Sequence, residues 1–212
     1  RRRTELALLQ AQINPHFLYN TLDTIIWLIE SGEISESVAM VSSLSNFFRF
    51  SLSRGQNVIT LAEEQQHIRS YLEIQHMRYR DLMEYEIDIP EELNAYILPK
   101  LTLQPLVENA LYHGIKIRRR KGLIRVSGRA EGERLILEVA DDGSGMSAVR
   151  LEEVRSSLVN GRKEGFGLRT VHERIQILFG QEYGLTLTST PEDGTRIFVT
   201  IPMQTSEKEM GE

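Results

Sequence analysis

Two hydrophobic periods divide this chain, and the change between them near residue 80 limits its possible folds more than any other feature. Before it, apolar side chains recur at helical spacing: Leu6, Leu9 and Ile13, then Leu18, Leu22, Ile25 and Ile29. At Met83 the period drops to two, with Met83, Tyr85, Ile87 and Ile89 alternating with Glu84, Glu86 and Asp88. Beyond that, strand-like runs and helical stripes interleave. The pattern predicts an α+β chain with a helical region over 1–80, a mixed region over 81–203 and a polar tail over 204–212. The net charge of −5 argues against broad attraction to nucleic acid or to anionic membrane. The absence of cysteine excludes disulfides, zinc–thiolate sites and thiol catalysis. No apolar run reaches the length of about eighteen residues that spans a bilayer. The chain opens on Arg1-Arg2-Arg3 and passes straight into a helical pattern, which suggests a fragment of a longer protein.

The first helix is expected over about 4–30, interrupted at Pro15. A proline in a helix interior removes one hydrogen bond, clashes with the preceding turn and kinks the helix at a cost of about 3 kcal/mol. A local rule broken beside His16 draws attention to that histidine. Ser31-Gly32-Glu33 is the expected turn, with Ser35 as N-cap of a second helix and Gly55 as its stop. Val38, Val41, Leu44, Phe48 and Leu52 form the stripe expected to face inward. So short a turn makes an antiparallel hairpin, and a hairpin alone leaves apolar surface, which a second copy would cover in a dimeric four-helix bundle. Thr60 and Glu63 read as a capping box opening a third helix over about 61–80.

The mixed region starts with the alternating strand from Met83 and a loop-rich connection between Pro90 and Pro99. A helix follows from near Lys100, with Leu103, Leu106, Val107, Ala110 and Leu111 on one face. Strands are expected at about 122–130 and 134–141, then a glycine-bearing loop and a polar, loosely patterned segment over 147–164. A helix over about 167–179 and strands at 184–190 and 195–202 complete it. This order implies a mixed or antiparallel sheet with helices covering one face.

Three polar signals fall in this region. Glu108-Asn109-Ala110-Leu111-Tyr112-His113 puts Asn109 and His113 on one helix face. An asparagine carbonyl is a hard oxygen suited to Mg²⁺, though the same pattern suits a solvated helix. Asp141-Asp142-Gly143-Ser144-Gly145 ends a strand, where a buried carboxylate can accept from an exocyclic amine; an ordinary Asp/Gly turn reads the same way. Gly165-Phe166-Gly167-Leu168 opens a helix, a place for phosphate or simply a glycine-containing helix start. No Walker or Rossmann spacing is present. Arg118-Arg119-Arg120-Lys121 reads as a solvated basic loop, Trp27 and Phe47-Phe48 as bundle core or dimer contacts, and His67, His76 and His172 lack metal-ligand spacing.

In their order and spacing the three signals, closed by Gly194-Thr195, resemble the nucleotide-binding domain of the GHKL superfamily. Leu101–Ile115 looks like its N box, Asp141–Gly145 its G1 box and Gly165–Leu168 its G2 box. The opening LQAQINPHFLYNTLDTI resembles the phosphoacceptor segment of LytS/YesM-type sensor histidine kinases. The resemblance implies a GHKL-type α/β sandwich and autophosphorylation by ATP with Mg²⁺. His16 would accept the γ-phosphoryl group, with Asn20 one turn on to orient the imidazole or a water. Asn109 would bind Mg²⁺, and His113 would lie near the phosphates. Asp141 would read the adenine amine in a pocket shaped by Gly143 and Gly145 and supported by Thr195. Residues 147–164 would be the ATP lid, with Gly165 and Gly167 at its hinge presenting N–H groups to phosphate, and Leu168 beside them among the nucleotide-binding residues. The implied partners are a second copy and the receiver domain of a response regulator, with any membrane anchor carried by segments outside this chain. That would make it the cytoplasmic portion of a bacterial inner- or plasma-membrane protein. Phe17 departs from the acidic residue that follows the phosphoacceptor in many histidine kinases. Pro105 departs from the glutamate that GHKL ATPases place four residues before the asparagine, leaving Glu108 beside Asn109 as the candidate base. Two alternatives are an ATP-binding module that does not phosphorylate itself and a GHKL ATPase or serine kinase whose helical arm only dimerises.

Overall fold

The structure is a computed structural model that describes residues 14–52, 56–118, 120–160 and 166–207. It divides into two compact units. One comprises the described part of Arg1–Gln56 with Gln66–Arg80; the other comprises Asn57–Gln65 with the described part of Asp81–Glu212. The short segment Asn57–Gln65, on the helical side of a division at residue 80, therefore packs with the second unit.

In the first unit, helix α1 is Pro15–Glu30. A helix running through Pro15 with a kink is not what forms. Asn14 is extended (φ −70°, ψ 113°), and its side-chain oxygen accepts from the His16 N–H at 3.0 Å. Pro15 is the first helical residue, where a missing N–H costs nothing because no intrahelical acceptor exists for it. Residues 4–13 of the expected helix lie outside the described residues. Phe17, Thr21, Ile25 and Leu28 are buried. Helix α2, Ile34–Ser51, follows a turn with Gly32 at φ +81° and packs on α1. Its N-cap is Glu33 with no side-chain cap bond, so the expected cap Ser35 sits inside the helix; the expected stop Gly55 lies outside the described residues.

The expected inward stripe of α2 is also displaced. Met40, Leu44 and Phe47 are buried, whereas Val38, Val41 and Leu52 are 60%, 50% and 43% exposed. Helix α2 carries two apolar stripes, and the one that turns inward places Phe47 against Phe17 of α1 and Tyr71 of α3. Helix α3, Leu61–Arg78, opens with the Thr60 hydroxyl accepting from Glu63 N–H at 3.3 Å. It contributes Ile68, Tyr71, Leu72 and Ile74 to a core where the Phe17 ring lies 5.0 Å from Phe47 and 5.3 Å from Tyr71.

The second unit is built on strands β2 (Met83–Asp88), β4 (Gly122–Glu131), β5 (Arg134–Asp141), β6 (Gly184–Thr190) and β7 (Gly194–Pro202). Their order is β2-β4-β5-β7-β6, parallel between β2 and β4 and antiparallel elsewhere. The two faces differ as strand alternation requires. Ile124, Val126, Leu135, Leu137, Val139, Leu187, Ile197 and Val199 are buried under helices, while Arg125, Thr186, Thr188 and Arg196 face solvent. The connection between Pro90 and Pro99 is more ordered than a loop. It holds a 3₁₀ turn, Glu91–Leu93, and strand β3, Ile97–Pro99, paired antiparallel with β1, Val58–Thr60.

Helix α4 is Leu103–Asn109, and it continues through a π-helical turn, Ala110–Ile115, into a last α turn, Lys116–Arg118. Helix α5 is Ala148–Asn160, within the segment expected to be polar and loosely patterned. Leu151, Val154 and Leu158 give it a buried stripe that the surrounding charges obscure in the sequence. Helix α6 is Phe166–Phe179, with Leu168, Val171 and Ile175 buried.

Candidate functional site

The site forms where β5 ends. Asp141 is the last residue of that central strand, paired with Ile124 on one side and Thr195 on the other. Strand alternation turns its side chain to the helix-covered face, where it is 8% exposed. Burial pushes its pKa up to about 6, N–H bonds from Gly143 and Thr195 pull it down, and the neighbouring Asp142 charge raises it. The Gly143 N–H donates to its Oδ1 at 2.9 Å. Asp142 points elsewhere and accepts from the Leu123 N–H at 2.8 Å.

The π-helical turn of α4 meets this strand end backbone to backbone. A Cβ on Gly143 would lie 2.2 Å from the Gly114 carbonyl carbon, and a Cβ on Gly114 would lie 2.5 Å from Asp141 Oδ1. The Ser144 N–H donates to the Gly114 carbonyl at 3.2 Å. Gly145 follows at φ +65°, where any Cβ would lie 2.0 Å from the Thr190 carbonyl oxygen and clash with it. Across the sheet, Ser189 Oγ accepts from the Met146 N–H at 2.8 Å and lies 2.8 Å from Thr195 Oγ1.

These contacts enclose a cavity of about 300 Å³. Its polar lining includes Asn109, His113, Asp141, Ser144, Arg150 and Thr195, and its apolar walls are Ile117, Met146, Val154, Leu168 and Leu187. The structure thus gathers Asn109, His113, Asp141, Gly145, Leu168 and Thr195, which are dispersed in sequence, around one space. A planar heterocycle with an exocyclic amine suits it: apolar walls for the ring and a buried acceptor for the amine. The larger hollow of about 430 Å³ lies on the sheet's outer face. Its Arg125 and Arg196 are ion-paired with Glu86, Asp88 and Glu138, as a solvated surface would be.

Other expected site residues lie elsewhere. Glu108 is not part of the cavity lining; its Oε1 accepts from Gln104 at 2.9 Å, and burial raises its pKa. Gly167 is exposed, and an added Cβ would meet Pro105 at an ordinary 3.8 Å. Gly165 lies outside the described residues. His16 and Asn20 belong to the first unit, both exposed, with His16 in the first turn of α1. Gly114 and Ser144 fall within the expected boxes and Arg150 within the expected lid without a role of their own there, while Ile117, Met146, Leu187 and Ser189 were not anticipated. Gly114 had a usable signal of its own, as a glycine within an apolar helix.

Among the described residues no group of three or more His, Cys, Asp or Glu side chains could hold a metal. The cavity offers instead the amide oxygen of half-buried Asn109. One hard protein oxygen, with phosphates and water completing the shell, is a donor set that fits Mg²⁺.

Comparison with known proteins agrees with this geometry. The family described as histidine kinase-, DNA gyrase B-, and HSP90-like ATPase matches residues 98–205, and the histidine kinase family matches residues 4–83. The chain is 40% identical over 201 residues to Sensor histidine kinase YesM of Bacillus subtilis, covering 95% of this chain and 34% of the relative. It is 36% identical over 200 residues to Sensor histidine kinase BtsS of Escherichia coli, covering 94% of this chain and 34% of the relative. It thus spans about a third of the length of these curated relatives. The histidine kinase domain of the blue-light activated histidine kinase from Erythrobacter litoralis shares the fold, with a TM-score of 0.53 at 17% identity, covering 99% of this chain and 95% of that one. The chain therefore belongs to the family of histidine kinase-, DNA gyrase B- and HSP90-like ATPases, and carries a histidine kinase module ahead of its ATPase module.

Proposed function

We propose that this chain is the catalytic core of a sensor histidine kinase, which transfers the γ-phosphoryl group of ATP to His16 and then to an aspartate of a response-regulator receiver domain. The observation that carries the reading is the convergence of Asn109, His113, Asp141 and Thr195 on one cavity with a buried carboxylate at its base. Ionised Asp141 accepts from the adenine amine, with Thr195 and the Gly143 and Gly145 turns holding it in place. Asn109 would hold Mg²⁺, which supplies charge neutralisation at the phosphates, and His113 lies on the same rim. A ring nitrogen of neutral His16 attacks the γ-phosphorus; the N–P bond forms as the bond to the ADP oxygen breaks, and the imidazole gives up a proton. The position of His16 in the first turn of α1 suits the product, because a helix N-terminus favours added negative charge. Glu108 is the proposed proton acceptor, and Asn20 the residue that orients the ring.

The exposed apolar residues Leu22, Ile26 and Trp27 of α1 and Val38 and Val41 of α2 support dimerisation through this hairpin. The longer relatives support placing the chain as the cytoplasmic portion of a membrane-anchored sensor.

The test is incubation with γ-labelled ATP and Mg²⁺. Acid-labile label on the parent and none on His16→Ala is the expected result; equal label on both removes His16 as the acceptor. A second reading, an ATP-binding module that does not phosphorylate itself, is favoured by Phe17, whose ring is buried where a base beside His16 would otherwise stand. Calorimetric ATP binding with no label transfer supports that reading.

A further inference from the structure

Glu64 has no accessible surface, although it lies in the first turn of α3. A buried carboxylate persists only where its oxygens are satisfied. Its Oε1 accepts from the Leu103 N–H at 3.0 Å and its Oε2 from the Leu101 N–H at 3.2 Å. Those donors belong to the start of α4, which has no cap of its own: the Thr102 hydroxyl donates instead to the Pro99 carbonyl at 2.6 Å. A carboxylate from α3 therefore caps α4, at the end of the helix where negative charge is favourable. The loop it holds includes Leu101 at φ 62°, a left-handed conformation that a non-glycine residue keeps only when its surroundings impose it. Arg174 of α6 donates to the Lys100 carbonyl of the same loop, and the charges of Arg174 and Lys100 both act on Glu64. Burial nonetheless pushes Glu64 up to about 7.

Three helices thus meet at one side chain. Two of them line the cavity, α4 through Asn109 and α6 through Leu168, while Glu64 itself stays outside it. We propose that Glu64 is a positioning residue for the nucleotide site: its carboxylate latches the start of α4, and closing the latch raises affinity for ATP. The proposal rests on the cavity being the nucleotide site. Helix α3 continues from Glu64 to Arg78, through the segment that belongs to the unit holding His16, so the latch gives that helix a direct hold on nucleotide affinity.

The test uses the 212-residue chain with ATP as the probe. Calorimetric ATP affinities are measured for the wild type, Glu64→Gln, Glu64→Gln with Leu101→Gly, and Asp141→Asn. Amide exchange at Leu101 and Leu103 is followed in the wild type with and without saturating ATP. Glu64→Gln should weaken ATP about tenfold. Leu101→Gly should restore part of that loss, because glycine adopts the loop conformation without being held. Linkage is reciprocal, so ATP should slow exchange at Leu101 and Leu103 by a similar factor; a carboxylate that served stability alone would leave exchange there indifferent to ATP. The latch is overturned if Asp141→Asn abolishes binding while Glu64→Gln stays within about twofold of wild type, or if exchange at both amides ignores ATP. If Asp141→Asn binds ATP as the wild type does, the reading of the cavity fails and the latch with it. If Glu64→Gln does not fold, the wild-type exchange measurement decides.

Discussion

Asp141 and Phe17 show how single side chains divide stability from function. Burial lifts Asp141 from its ordinary 3.8 to about 6, so the folded chain holds that proton more tightly than the unfolded one. The stability it contributes is full below about pH 3.8, falls as pH rises through about 6 and is gone at pH 8. Asparagine cannot ionise, so Asp141→Asn should melt at or above the wild-type temperature at pH 8. The difference should be up to about 2–3 kcal/mol and should shrink towards pH 5. The same substitution replaces an anionic acceptor with an amide and should abolish detectable ATP binding by calorimetry. A variant with lower stability at pH 8 would contradict the assigned burial cost. Phe17 behaves in the opposite way. Its ring is packed between Phe47 and Tyr71, so Phe17→Ala should cost about 3–5 kcal/mol in denaturant unfolding. His16→Ala, at an exposed neighbour, should stay within about 0.5 kcal/mol of wild type while removing the phosphorylated product.

At the scale of elements, the start of α1 and the π-helical turn of α4 do the positioning. Asn14, Pro15, His16 and Phe17 are cap, first, second and third positions of one helix: the cap fixes the start, the proline suits the first turn, and the last two residues point one to solvent and one to the core. Asn14→Ala should cost about 1 kcal/mol and lower helicity by circular dichroism, with α1 fraying from its His16 end. The π-helical turn brings Gly114 against Asp141 while Asn109 and His113 stay on the same cavity. Gly114→Ala would drive a methyl group into the Asp141 carboxylate, so ATP affinity should fall at least about tenfold, or the chain should unfold at lower temperature as the turn gives way. An unchanged Kd and melting temperature would mean that the two backbones can separate freely.

On the scale of the whole molecule, two compact units with separate cores carry separable expectations. ATP at about 100 times its Kd adds about 2.7 kcal/mol to whatever binds it. Saturating ATP with Mg²⁺ should therefore raise the melting transition that includes the five-stranded sheet; a shift confined to the helical unit would place the site elsewhere. The helical unit leaves Trp27 63% and Val38 60% exposed on helices whose other faces are buried. Trp27→Glu with Val38→Glu should halve the mass measured by light scattering without lowering helicity, and an unchanged mass would remove this face as the dimer contact.

Much of this was legible in the residues themselves. Helical and alternating periods located most elements, because burying one face of a helix or strand imposes its own repeat on the sequence. The resemblance carried by the Asp141–Gly145 box and Gly194 pointed to the candidate site, and at Gly143, Gly145 and Gly194 the structure shows backbones approaching too closely for a side chain. The choice between equivalent local options was not legible. Which apolar stripe of α2 turns inward, and whether Pro15 kinks a helix or begins one, depend on neighbours that periodicity does not specify. Nor could spacing show that Ile97–Pro99 pairs with Val58–Thr60, that Ser189 supports Thr195, or that Glu64 caps a helix begun at Leu103. The sequence by itself determined the period of each element and the positions where only glycine fits, since those constraints act within a few residues; the tertiary structure alone decided which faces meet and which distant polar groups satisfy one another, since burial and hydrogen bonding are settled between segments far apart in the chain.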